Sequence, residues 1–295
     1  MRYHPTTSGR RNKGTEATVC RHQSIAGVRL TIATFLAIIG VSAATPSWAI
    51  DCTKASDPID KRICGNAGLK AADAAMGQAY AALLKSAPDP EIRSMLVNSQ
   101  RRWIAARNEG LKTGLDGSAM PAGKLRQVIA ERTAQLGDQS EKGLVMQAQA
   151  QRRFLAKYSG GAFAGFDTSC EFIPNDRDGS SYSYQCSGAM HVQNKTRLCS
   201  ASTEWASWSL YEYHAVSTIE GDNAKPAALC SDQSGDICGG GKDVTWTSNP
   251  DADQHFPSPK TGLAKLDVEG IWPLETADAD WFDQCLTSSI YPPAQ

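Results

Sequence analysis

Along the first half of the chain apolar residues return every third or fourth position; along much of the second half they return every second. From Asn66 to Ser86 the apolar positions are Leu69, Ala72, Met76, Tyr80, Leu83 and Leu84, one stripe of an amphipathic helix. Ser86-Ala-Pro-Asp-Pro90 stops it, and Asp89-Pro90-Glu91 opens a second helix with a capping acid and a proline at the first turn. That helix turns Ile92, Leu96, Trp103 and Ile104 to one side with Gln100, and Gly110 with the Gly114/Gly117 pair ends it. A third helix is predicted from about Pro121 to Leu136 through Leu125, Val128 and Ile129. A fourth is predicted from about Ser140 to Tyr158 through Leu144, Val145, Ala148, Phe154 and Leu155. Near Ser159-Gly-Gly-Ala162 the period changes to two. Tyr182 to Cys186, Met190 to Val192 and Trp208 to Val216 alternate as strands do, with turn-forming runs at Asn175–Gly179, Gln193–Lys195 and Glu220–Asn223 between them. Beyond Ala224 the pattern fades, leaving one short strand over Val244–Thr247. The class expected is α+β: a helical bundle followed by a small, mainly antiparallel sheet or sandwich.

What precedes residue 50 has a different character. Six basic residues from Arg2 to Arg29 lead into an apolar run of about fifteen residues, Leu30–Ala44, followed by Ser47 and Ala49 as small residues before a cut. This layout predicts a secretory signal over residues 1–49. The run is short of the roughly 20 residues that a membrane-spanning helix requires. The remaining organisation is then a helical domain, 50–158, and a β domain, 159–295, in a periplasmic or secreted protein with no membrane span once the signal is removed.

Cysteine usage agrees with export. Of nine cysteines, Cys20 leaves with the signal, and Cys52, Cys64, Cys170, Cys186, Cys199, Cys230, Cys238 and Cys285 remain, an even number in an oxidising compartment. Cys52 and Cys64 are predicted to pair, because they bracket a short helix capped by Asp57 with Pro58 at its first position and Asp60 in its first turn. The other six are expected to bridge within the β domain in a pattern that spacing does not choose.

Charge separates the two parts. Residues 50–159 carry 17 basic and 11 acidic side chains, whereas residues 160–295 carry 7 and 19. So acidic a C-terminal part would repel phosphates, and nucleic acid is not expected as a partner. Catalytic signatures are absent: there is no Gly-x-Ser-x-Gly elbow, no Ser-x-x-Lys pair, no phosphate loop and no Cys-x-x-Cys or His-Glu-x-x-His metal motif. The reading is a binding protein without cofactor, metal or catalytic residues. The aromatic run Trp205, Trp208, Tyr211 and Tyr213 is a core or, in part, a surface that stacks on sugars or anchors a protein.

The N-terminal elements also resemble a family. Cys52 with Ile63-Cys64, then Leu69, Asp73 and Tyr80, then Gln100, Trp103 and Arg107, resemble in order and spacing the domain of the LprI-type lysozyme inhibitors over residues 51–110. Glu131-Arg132 and Leu136 continue the likeness. Where that family has a further cysteine after the arginine, this chain has Glu109-Gly110-Leu111. The resemblance implies an exported, non-catalytic protein whose partner is lysozyme and which inhibits it by occluding the saccharide cleft. A module for envelope glycan such as peptidoglycan is the alternative. Positions 100, 103 and 107 share a helix face, which serves either as core, with Arg107 on an acid such as Asp73, or as a recognition face.

Overall fold

The computed structural model describes residues 49–177, 179–206, 209–231, 246–248, 260–271 and 276–289. The proposed signal up to residue 48, Trp208, Cys238 and the first half of Val244–Thr247 lie outside these residues.

Five helices come first: α1 (Pro58–Cys64), α2 (Ala67–Ser86), α3 (Pro90–Gly110), α4 (Ala122–Gly137) and α5 (Leu144–Leu155). Side-chain caps fix the starts of the first three. Asp57 accepts from the Ile59 amide, Asn66 from Leu69, and Asp89 from both Glu91 and Ile92. Asp89 also takes both ends of the Arg152 guanidinium (2.7 and 2.9 Å), which ties the α3 start to α5. The fourth predicted helix is shorter than the span expected, Ser140 to Tyr158, and coincides with its apolar positions Leu144 to Leu155. Residues 138–143 instead form turns in which Asp138 accepts from the Ser140 amide (2.8 Å), and α5 starts after Gly143.

Six strands follow as one antiparallel meander in the order of the chain: β1 (Gly165–Pro174), β2 (Tyr182–Gln193), β3 (Arg197–Ala206), β4 (Ser209–Glu220), β5 (Asn223–Ser231) and β6 (Trp246–Ser248). A last helix, α6 (Thr276–Thr287), lies near the C-terminus. The sequence pattern did not show β1, β3, β5 or α6, and its two runs Tyr182–Cys186 and Met190–Val192 are one strand, β2. Proline obscured β5, yet Pro226 sits where the β4–β5 register shifts after Val216, a bulge at which a missing amide is tolerated. Acidic residues obscured α6, whose apolar content is concentrated in Trp281, Phe282 and Cys285, all buried.

The sheet's register decides what each face meets. Phe166, Cys170 and Phe172 stand opposite Met190, Cys186 and Tyr184, and Val192 opposite Cys199, which faces Val216. This face is covered in two places. Phe172, Tyr182 and Tyr184 join the helical core built from Ile63, Leu69, Leu96, Trp103, Leu125 and Ile129, together with Leu266 and Val268. Met190, Val192, Ala201 and Val216 pack with Trp281 and Phe282 of α6. Gly110 allows the first contact: a Cβ there would lie 3.0 Å from that of Phe172 and 3.2 Å from its carbonyl oxygen.

Disulfides reinforce these contacts. Cys52–Cys64 closes the first helix, as expected, Cys170–Cys186 joins β1 to β2, and Cys199–Cys285 fastens α6 to β3. Cys230 is also disulfide-bonded. A cross-link spanning 86 residues, as between Cys199 and Cys285, contributes about 4 kcal/mol in the chain-entropy account.

Candidate functional site

The family-like positions are all turned inward. Leu69, Asp73, Tyr80, Gln100, Trp103 and Arg107 are buried. Arg107 donates through Nη2 to Asp60 Oδ1 (2.6 Å), lies 3.8 Å from Asp73 Oδ1, and stands over the Trp103 ring at 5.6 Å. Asp73 in turn accepts from the Ile50 amide (2.8 Å), and burial raises its pKa against the pull of that bond and of Arg107. Gln100 Oε1 accepts from Arg132 Nε (3.0 Å), a side-chain partner rather than a backbone one.

Arg132 opens the largest buried polar network. It donates to Glu269 Oε1 (2.9 Å) and Ser99 Oγ (2.7 Å), while Arg102 pairs with Glu269 Oε2 and Asp267 Oδ2 (2.8 Å each). Gln151 clasps the same segment through both backbone groups of Asp267 (2.6 and 2.8 Å). Burial pushes the Glu269 carboxyl up, but Arg132 and Arg102 outweigh it and hold it below the usual range. The sulfurs of Cys170 and Cys186 and a Glu269 oxygen lie within 4.8 Å of one another. The sulfurs are spent in a disulfide and the carboxylate on two arginines, so this cluster offers no thiolate to a metal.

On the sheet, Tyr213 is buried with Ala215 and Leu229, and Tyr211 packs half-buried against them. Trp205 belongs to β3. His191 Nδ1 is 2.6 Å from Ser200 Oγ, but Ser200 is 2% exposed, so the pair cannot reach a dissolved substrate. Burial pushes the His191 imidazole down to about 4, aided by Lys260 and opposed by Asp167. Unfolded histidine titrates near 6.5. Acidification through the window from about 6.5 to about 4 therefore protonates the unfolded chain first and removes stability, while above that window this histidine has no effect. Its share of the loss is expected to be about 3 kcal/mol. Chemical denaturation at pH 7 and 4.5 checks this: His191→Gln should lose less stability between the two pH values than the parent.

Two large hydrophobic side chains stand exposed among the described residues, Leu115 at 56% and Met146 at 39%. Leu115 occupies the tip of a loop closed by the Thr113–Ala119 bridge and the Gly114 N–H to Ser118 carbonyl bond (2.7 Å). Asp116 Oδ1 accepts from the Ser118 amide and hydroxyl (2.9 and 2.7 Å), and Gly117 supplies the positive φ of 75°. The loop after β1 meets it: Asn175 N–H bonds the Ser181 carbonyl (3.0 Å), and a Cβ on Gly179 would lie 3.3 Å from Leu115 Cγ. Lys124 fastens the pair by donating to the Gly179 carbonyl. The result is a pinned apolar tip flanked by the Asp116 and Asp176 carboxylates. In the sequence it read only as a helix stop; its one signal was a leucine set between two turn glycines.

The fold and surface define an α+β, disulfide-linked protein with its family-like residues buried and an exposed leucine on a pinned loop. Residues 52–136 match the family model of the lysozyme inhibitor LprI, a match that covers α1 to α4 and includes the Leu115 loop. No curated protein and no solved structure matches the chain significantly.

Proposed function

We propose that this protein is exported to the periplasm or beyond and there binds and inhibits lysozyme by occluding its saccharide cleft, with no chemistry of its own. The observation that carries this reading is the family match over residues 52–136. Disulfides throughout the described fold suit an oxidising compartment, and among the described residues no helix is long and apolar enough to cross a membrane. In this reading the motif residues supply the scaffold, and the Leu115 loop makes the contact. An apolar anchor with the Asp116 carboxylate beside it suits a basic partner, and the acidic residues 160–295 speed the encounter by electrostatic steering.

Titrating the oxidised protein into a muramidase assay on cell walls should give saturable loss of activity near one equivalent. Leu115→Asp should weaken inhibition about tenfold or more without lowering the melting temperature. Association should slow as salt rises, and a flat response would remove the steering argument. Full muramidase activity of every lysozyme class in the presence of excess folded protein would refute the reading.

A further inference from the structure

A cleft of about 470 Å³ opens between the C-terminal end of α5 and the end of β2, far in sequence from the Leu115 loop. We propose that it binds a long-chain carboxylate, a fatty-acid-type anion with its tail in the cleft and its head at Lys265.

The cleft exists because the chain is thin around it. Gly160, Gly161 and Gly165 line it. Gly165 has φ 146°, and a Cβ there would fall 2.5 Å from the Ala264 carbonyl oxygen. A Cβ on Gly161 would strike the Gln193 amide at 2.3 Å. Against this backbone stand Leu155, Ala156, Val192, Ala164 and Leu266, which make the lining chiefly apolar.

The polar groups are few. Gln193 Oε1 accepts from the Phe163 amide (2.9 Å), which fixes the side-chain amide and leaves its NH₂ without a protein partner. His191 lies buried at the back of the lining with Nδ1 held by Ser200 (2.6 Å). Lys265 is exposed and bonds carbonyl oxygens, Ala164 at 2.7 Å and Gly161 at 3.5 Å, and among the described residues no carboxylate forms an ion pair with it. At the opposite wall Arg152 is shared between Glu91 (2.9 Å) and Asp89 (2.7 Å), so it offers no free positive charge and the cationic end of the cleft is Lys265. A positive charge at Lys265 without a described ion-pair partner, the Gln193 amide and an apolar body select a ligand with one anionic end and a hydrocarbon remainder. A sugar fits less well. Tyr158, the one aromatic ring in the lining, has its hydroxyl on Asp283 (2.9 Å) and its ring edge-on to Phe154, so no free stacking face is offered.

The test uses the oxidised protein titrated with cis-parinarate, followed by displacement with palmitate, hexadecanol and acetate. Saturable one-to-one binding displaced by palmitate but not by acetate is expected. Lys265→Ala should weaken palmitate about tenfold and leave hexadecanol unchanged, because only the charged head loses a charge-assisted bond. Ala156→Trp, placed on the exposed rim, should abolish binding while the melting temperature holds. If Ala156→Trp unfolds the chain, the comparison of palmitate with hexadecanol on Lys265→Ala still decides. No saturable binding, equal loss of both ligands on Lys265→Ala, or binding only to phosphatidylglycerol vesicles would overturn the proposal.

Discussion

Replacing Glu269 with alanine is expected to destabilise the protein by about 3–5 kcal/mol, the usual consequence of stripping one partner from a buried charge cluster. Glu269 stands between Arg102 and Arg132, receives the Ser99 hydroxyl (2.8 Å), and has its side chain 3% exposed. Without it Arg132, whose side chain is fully buried, keeps only neutral acceptors at Gln100, Gln135 and Ser99. Arg102 keeps Asp267 alone. Glu269→Gln should cost less, because an amide still accepts from one guanidinium. Acid works through the same group. Its folded pKa is depressed, so its stabilisation is present above the unfolded carboxylate range and is lost as pH falls through the folded value. Urea denaturation followed by far-ultraviolet circular dichroism measures the loss. A change below 1 kcal/mol for Glu269→Ala would mean that the network contributes nothing net. Substituting Arg102, Arg132 and Glu269 together by apolar residues of similar volume should cost far less than Glu269→Ala alone, since no charge is then left buried.

That network also marks the boundary of what the chain reveals by itself. α2, α3 and α4 were legible because a buried face on a helix repeats at 3.6 residues, and their caps stand beside the apolar run they open. Arg132 was visible only as part of a familiar dipeptide. Its acid comes from Glu269, 137 residues later in an irregular segment with neither period, so no local pattern joins them. β1 escaped for a related reason. Thr168 and Cys170 on its inner face and Asp167, Ser169 and Glu171 on its outer face give little hydrophobic contrast, and Phe166 and Phe172 bury only because α6 and α3 happen to lie over them. The contact loop shows the converse. Gly114 and Gly117 announced a turn, but that Leu115 stays exposed depends on how far the loop projects, which spacing does not encode.

Trp103→Ala should cost about 3–5 kcal/mol, and its consequences differ in kind from those of Leu115→Asp. Trp103 is 2% exposed and sits where α3 meets β1, edge-on to Phe172 with centroids 6.0 Å apart. Arg107 stands over the ring at 5.6 Å and Arg132 at 6.0 Å, so the indole packs apolar surface while its π-system attracts two buried cations. Truncation leaves a cavity that α3 cannot close, because Gly110 already lies as near Phe172 as the backbones allow. Trp103→Phe keeps most of the volume, and a loss of about 1–3 kcal/mol is expected, leaving a folded protein. The two positions should then separate scaffold from contact. On the proposed function, Trp103→Phe at a temperature where it is fully folded should inhibit lysozyme as the parent does, since the buried indole has no exposed face to offer. Leu115→Asp should melt like the parent and inhibit poorly. Thermal melting paired with muramidase titration of both variants measures this. Were folded Trp103→Phe to lose inhibition while Leu115→Asp kept it, the helix face bearing Gln100, Trp103 and Arg107 would have to open toward the partner, and the closed interior would be the resting form of a rearranging binder.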